Sequence, residues 1–190
     1  IDPWKIEGGP PADLVLVTHE HYDHCSPEDV ARIAGPSTVV LAPEPCRGSL
    51  AGVVRKGGFR AVAPGDVVEE GPVGIRVLPA YNTERSRQGF HPRDPRMPRV
   101  GYLLTLDGRT IYHAGDTDPI PEMEGLSPDV ALLPVGGKYT MDAGQAAEAA
   151  RRLGARAVIP MHWGDIVGSR KDADRFAALW KGTTQILEPE

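Results

Sequence analysis

Two hydrophobic rhythms alternate along this chain. Short apolar runs bounded by Gly, Pro or acidic residues read as buried strands. Stretches with apolar residues three and four apart read as helices. Leu14–Thr18 is the first strand. Ser26 then offers an N-cap, Pro27 a first helical position and Glu28-Asp29 an acidic first turn. That pattern predicts a helix to Ala34, stopped by Gly35-Pro36. Thr38–Ala42 is a second buried strand, and Phe59–Pro79 reads as short β runs in a meander. Val100–Leu106 and Arg109–His113 flank Asp107-Gly108, a strong hairpin signal. Val130–Pro134 is a strand, and Asp142 with Gln145 opens a helix ending at Leu153-Gly154. Arg156–Pro160, Asp172–Trp180 and Thr184–Leu187 read as strand, helix and strand. Hairpins mixed with βαβ-like units predict an α/β (α+β) fold with sheets covered by helices on their outer faces. No linker or repeat interrupts the pattern, so residues 1–190 are expected to form one domain.

Composition narrows the picture. A net charge of −5 disfavours long nucleic acid as a partner. No apolar run is long enough to span a membrane. The two cysteines, Cys25 and Cys46, make neither a disulfide framework nor a C-x-x-C pair, which fits a reducing, cytoplasmic compartment. Cys25, directly after His24, reads as a small buried thiol. The chain starts at Ile1 without a methionine, inside what reads as a strand end, I-D-P-W. This implies residues upstream, where any targeting signal would lie.

The chemistry is concentrated after the first strand. T-H-E-H-Y-D-H places His19, His21, Asp23 and His24 together, three of the chain's six histidines. Imidazole mixed with carboxylate at a strand end suits zinc or another first-row divalent metal. Two further strand ends carry ligand types: His113-Ala114-Gly115-Asp116-Thr117 and Met161-His162-Trp163-Gly164. The glycines, Gly115 and Gly164, read as requirements of tight turns. Seven donors in three turns exceed what one tetrahedral ion needs, so two metals sharing a carboxylate are expected. Zn2+ is the leading ion, with Mn2+ or Fe2+ as alternatives. Ser86 and Ser169 sit in no nucleophile-elbow context.

In this ordered set the chain resembles the metallo-β-lactamase superfamily. The matching motifs are T-H-E-H-Y-D-H, A-G-D-T and M-H-W-G. The phrases I-D-P-W, H-A-G-D-T-D and L-P-V-G-G-K-Y-T-M are similar to the branch near the L-ascorbate-6-phosphate lactonase-like hydrolases. The resemblance covers nearly the whole chain and implies a four-layer αββα sandwich with metals at one edge. The hairpin that precedes I-D-P-W in that family is expected to be missing. The resemblance also implies His19 and His21 as ligands of a first metal, Asp23, His24 and His162 of a second, and Asp116 as the bridge. Asp2 is implied to support the histidine loop. His113, three residues before Asp116, reads as a group that orients Asp116 or holds a proton, or as a packed strand histidine. The chain departs from the pattern in P-A-Y-N, where Asn82 stands near the place of a usual histidine. Asn82 ligates, or His91 swings in, or the first site is weakly occupied.

These residues predict hydrolysis of a small ester, lactone or phosphodiester by a metal-bound hydroxide, with Asp116 bridging and Asp23 orienting the hydroxide. The loop 82–99 adds a charge argument. Arg85, Arg87, Arg93, Arg96 and Arg99 against Glu84 and Asp94 give it +3, which suits an anionic small-molecule substrate or a contact in a homo-oligomer. The alternatives are a nuclease or phosphodiesterase, and a metal-stabilised sensing module with little turnover, which Asn82 keeps open.

Overall fold

A computed structural model describes residues 1–188. Its strands form two sheets. The smaller is parallel and comprises β1 (Ala12–Leu16), β2 (Ala34–Ala42) and β3 (Phe59–Ala61), in that order. Parallel neighbours need a crossover. Helix α1 (Pro27–Ile33) provides the first one, with Ser26 accepting from Asp29 N as the N-cap. The second passes through α2 (Arg47–Leu50).

The larger sheet takes up the remaining strands: β4 (Val67–Glu70), β5 (Val73–Pro79), β6 (Val100–Leu106), β7 (Arg109–His113), β8 (Val130–Pro134), β9 (Ala157–Met161) and β10 (Thr183–Thr184). The spatial order is β10-β9-β8-β7-β6-β5-β4. The β4–β7 half is an antiparallel meander, and β7 to β10 are parallel. Helices α3 (Ala143–Leu153) and α4 (Arg170–Trp180) cover the parallel half. The Asp142/Gln145 capping box opens α3, and Gly154 in the left-handed region closes it.

Three apolar cores separate four layers. Val15, Val17, Val30, Val40 and Leu50 pack the small sheet against α1 and α2. Leu16, Leu41, Ile75, Val77 and Tyr102 fill the space between the sheets. Leu133, Ala146, Ala150, Val158 and Phe176 pack the large sheet against α3 and α4. The period of two along β1 and β2 makes this possible, because Val15 and Leu16 point to opposite faces. Tyr102 also donates its hydroxyl to Val17 O at 2.7 Å, linking the sheets beside the histidine run.

Several boundaries differ from the sequence reading. β2 begins at Ala34, straight after α1, rather than at Thr38. The register jumps from Ala12↔Ala34 to Leu14↔Val39, so Gly35–Thr38 bulges out of the ladder. Thr38 holds the bulge by accepting from Gly35 N and donating to Ala12 O. The short helix α2 carries too few residues for a periodic signal. β10 is only Thr183–Thr184, with Gln185 N still donating to Val158 O. Among the described residues no helix is long and apolar enough to cross a membrane.

Candidate metal centre

The polar turns after β1, β7 and β9 meet at one edge of the two sheets. They bring together His19, His21, Asp23, His24, Asp116 and His162. His24 Nε2 lies 3.4 Å from Asp23 Oδ2 and 3.5 Å from Asp116 Oδ1. His162 Nε2 lies 3.7 Å from Asp23 Oδ2 and 3.2 Å from Asp116 Oδ2. His19 Nε2 and His21 Nδ1 approach to 3.0 Å. The structure adds His91 to this set: its Nε2 is 3.4 Å from Asp116 Oδ2 and it groups with His19 and His21.

These spacings test whether the residues fit a metal. Donors about 2.0–2.1 Å from one tetrahedral ion stand about 3.4 Å apart. The observed separations of 3.0–3.7 Å fall around that value. His24 Nε2, His91 Nε2 and Asp116 Oδ1 are buried and have no hydrogen-bond partner among the described residues. Burying such atoms without a partner is costly, and a cation would satisfy all three. Two groups of donors result, His19/His21/His91 and Asp23/His24/His162, with Asp116 within reach of both.

The supporting hydrogen bonds fix the tautomers. Thr18 Oγ1 donates to Asp2 Oδ2 at 2.7 Å, so it can only accept from His19 Nδ1, 3.0 Å away. His24 Nδ1 donates to Asp2 Oδ2 at 2.8 Å. His91 Nδ1 faces two acceptors, Asn82 Oδ1 at 3.1 Å and Tyr139 O at 3.3 Å. All three rings therefore use Nδ1 as the outward donor and turn Nε2 inward, the atom a ligating imidazole offers. Asp2 thus serves both His19, through Thr18, and His24. Burial works against its carboxylate, but the neighbouring imidazoles, His24 foremost, hold it down at about 2.

Asn82 does not reach the centre. Its amide nitrogen donates to Tyr139 O at 2.9 Å and Asp118 Oδ1 at 3.3 Å, and its oxygen accepts from both nitrogens of His91 that face it, N and Nδ1. Asn82 is spent on placing His91. Asp118 anchors the same loop: its buried carboxylate accepts from Thr83 N and Glu84 N, both at 2.8 Å, and pairs with Arg87 at 2.8 Å. The sequence reading passed over Asp118, although the second aspartate of D-T-D was its only signal.

Backbone geometry is special here too. His162 adopts φ +56, unfavourable for a residue with a Cβ, and Gly164 φ +100. Gly115 has φ +64, and a Cβ on it would lie 2.6 Å from Val100 O, so only glycine fits beside Asp116. His113 is not in the donor set. Its Nδ1 accepts from Gly115 N at 3.2 Å, bracing the turn that presents Asp116, and burial lowers its pKa to about 4. Cys25 is buried and free.

The arginine loop is mostly spent internally. Arg87 pairs with Asp118, Arg93 with Glu122 at 3.0 Å, Arg96 with Asp94 at 2.9 Å and Arg99 with Glu20. Arg93 also stacks over Tyr81. Arg85 is left exposed on the loop. The loop's local charge is therefore matched by carboxylates elsewhere in the fold.

Comparison with known proteins agrees with this architecture. Residues 1–162 match the profile of the Beta-lactamase superfamily domain. A UPF0173 metal-dependent hydrolase of Thermoplasma acidophilum is 38% identical over 187 residues, covering 94% of this chain and 78% of that protein. One from Methanoregula boonei is 34% identical over 200 residues, covering 98% and 83%. Among solved structures, a Parabacteroides distasonis protein described as a metal-dependent hydrolase superposes with a TM-score of 0.81 at 35% identity, covering 96% of this chain and 79% of that one. A metallo hydrolase from Ignicoccus hospitalis gives 0.71 at 27%, covering 94% and 77%.

Proposed function

This chain belongs to the β-lactamase superfamily, and on that premise we propose that it is a metal-dependent hydrolase of small esters, lactones or phosphodiesters. The observation that supports this most is the set of buried imidazole and carboxylate atoms spaced 3.0–3.7 Å apart and turned inward by their own hydrogen bonds. His19, His21 and His91 would hold one divalent ion, Asp23, His24 and His162 a second, and Asp116 would touch both. Zn2+ fits this nitrogen-rich set, with Mn2+ or Fe2+ as alternatives. When bound, such a pair acidifies water and polarises the attacked carbonyl or phosphoryl group.

The chain's own groups supply the rest. Asp23 opens onto the cavity that also meets His21, His91 and Asp116. Burial opposes its charge, but the His162 and His24 imidazoles beside it keep its carboxyl ionised. It accepts a hydrogen bond from the attacking water and so sets its direction. The cavity of about 220 Å³ is below the ~300–1,000 Å³ of drug-sized ligand sites, which favours a small substrate. None of its lining residues is Lys or Arg, which speaks against long nucleic acid. The sensing-module reading leaned on Asn82 as a poor ligand, and with His91 in that role it loses its support.

The test is metal removal and return. Chelated protein should not hydrolyse aryl ester, lactone or bis-aryl phosphodiester substrates. Two equivalents of Zn2+, Mn2+ or Fe2+ should restore turnover of at least one class. Turnover that survives complete chelation would reject the proposal.

Metal uptake should also release protons unequally. Burial lowers the pKa of His19, His21 and His91, the last to about 4, so these are neutral at pH 7.5 before metal binds. Burial also opposes the charge on His24 and His162. Asp116 leads the groups that overcome it, raising His24 well above its usual value and His162 to about 9. A proton must leave each when the second ion binds, so affinity should rise with pH across the neutral range as His162, at about 9, and His24 approach their titration. Calorimetry in buffers of different ionisation enthalpy should count about two protons released, both with the ion at Asp23/His24/His162. Equal release at both sites would contradict the assignment.

A further inference from the structure

The geometry points to a substrate that carries a flat, uncharged apolar group beside its scissile bond, an inference that rests on the hydrolase reading above. The cavity over the metal-facing atoms is rimmed by Tyr22, Phe90, Tyr139 and Ile166. Three of these are among the most exposed large apolar side chains of the fold: Tyr22 at 65%, Phe90 at 42% and Ile166 at 39%. Exposed apolar side chains scattered singly need no explanation, but these share one cavity with His21, Asp23, His91, Asp116 and His162 of the donor set. They come from three separate loops, so no local sequence effect groups them.

The wall is also held in place. The Phe90 ring meets Tyr139 edge-on with centroids 4.8 Å apart, and Tyr22 meets Trp4 edge-on at 5.3 Å. Rings braced in this way keep a fixed face for a ligand and lose little freedom when one binds. Phe90 immediately precedes His91, so one loop segment supplies both an imidazole of the donor set and an aromatic ring of the rim. The Lys138 ammonium lies over the Tyr139 ring, 4.9 Å from its centroid. No guanidinium or ammonium lines the cavity itself, so away from the metal-facing atoms an anionic substituent meets no arginine or lysine lining the wall.

A pair of metal-chelating probes separates this inference from the reading beneath it. Acetohydroxamate and benzohydroxamate present the same chelating group and differ in the phenyl ring. On the metal-loaded enzyme, benzohydroxamate should bind about tenfold or more tighter, the gain expected for a ring buried against two aromatic faces. Phe90→Ala and, on a different loop, Tyr22→Ala should each shrink that ratio several-fold while leaving acetohydroxamate affinity unchanged. Unchanged acetohydroxamate affinity also shows that His91 stays in place. A carboxylate on the far end of the ring should weaken binding. Equal affinity of the two probes, or a ratio that survives both substitutions, overturns the apolar subsite while leaving the metal centre standing. Tighter binding of the carboxylated probe overturns it in favour of an anion site. If neither hydroxamate binds the metal-loaded protein, the hydrolase reading itself fails and the subsite falls with it.

Discussion

Asp116→Ala is expected to bring hydrolysis down to the level of the metal-free protein, a loss on the order of 10³-fold or more. Residues that only orient ligands typically cost 10–100-fold when changed. Asp116 is in a different position. Its two oxygens reach His24, His91 and His162 at 3.2–3.5 Å, so it stands between both groups of donors. Without it, each group keeps three donors and nothing ties the two ions together. The fold should survive, because the contacts of the Asp116 carboxylate are with imidazoles of the site and not with the backbone of a neighbouring strand. Metal content, turnover and thermal unfolding of the purified variant check this. Two retained equivalents of metal together with near-normal turnover would show that Asp116 does not bridge.

The second large effect concerns the choice between Asn82 and His91. His91→Ala should reduce the metal content from two equivalents to one and remove most of the activity. Asn82→Ala should keep two equivalents at saturating metal but weaken the first site about 10–100-fold, the cost of losing an orienting group behind a ligand. The reason is geometric. Asn82 Oδ1 lies 3.1 Å from His91 Nδ1, on the side of the ring away from the centre, and its nitrogen is held by Tyr139 O and Asp118. Titration with a chelator should then resolve a weakened site in Asn82→Ala and a missing one in His91→Ala. The reverse ranking, with Asn82→Ala losing the ion outright, would make Asn82 the ligand.

Much of this protein was legible in its sequence for local reasons. Strand and helix positions came from hydrophobic period and end signals. The Asp107-Gly108 hairpin and the Asp142/Gln145 capping box stand where those residues predict, since each depends on neighbours a few positions apart. The candidate ligand run from His19 to His24 was equally plain, because its members fall within six positions. Asp116 and His162 were reachable because each follows a strand and sits at a glycine turn. The boundaries that failed, such as the start of β2 and the helix Arg47–Leu50, lie where a bulge or a few residues leave no periodic trace.

Tertiary structure decided what depends on distant partners. Asn82 and His91 lie nine residues apart in one loop, and no local rule says which of them turns toward His19. That choice follows from Asp118 and Tyr139, which hold the Asn82 amide from other parts of the chain. The arginines of the same loop look like an anion site when counted along the sequence. In the fold, Glu20, Asp118 and Glu122 meet three of them across the molecule and Asp94 a fourth within the loop. The aromatic rim of Tyr22, Phe90 and Tyr139 carries no sequence motif, because its members meet only when three loops converge. A chain records its local periods and caps directly. Which side chains share a partner is fixed by how the two sheets pack and bring their edge loops together.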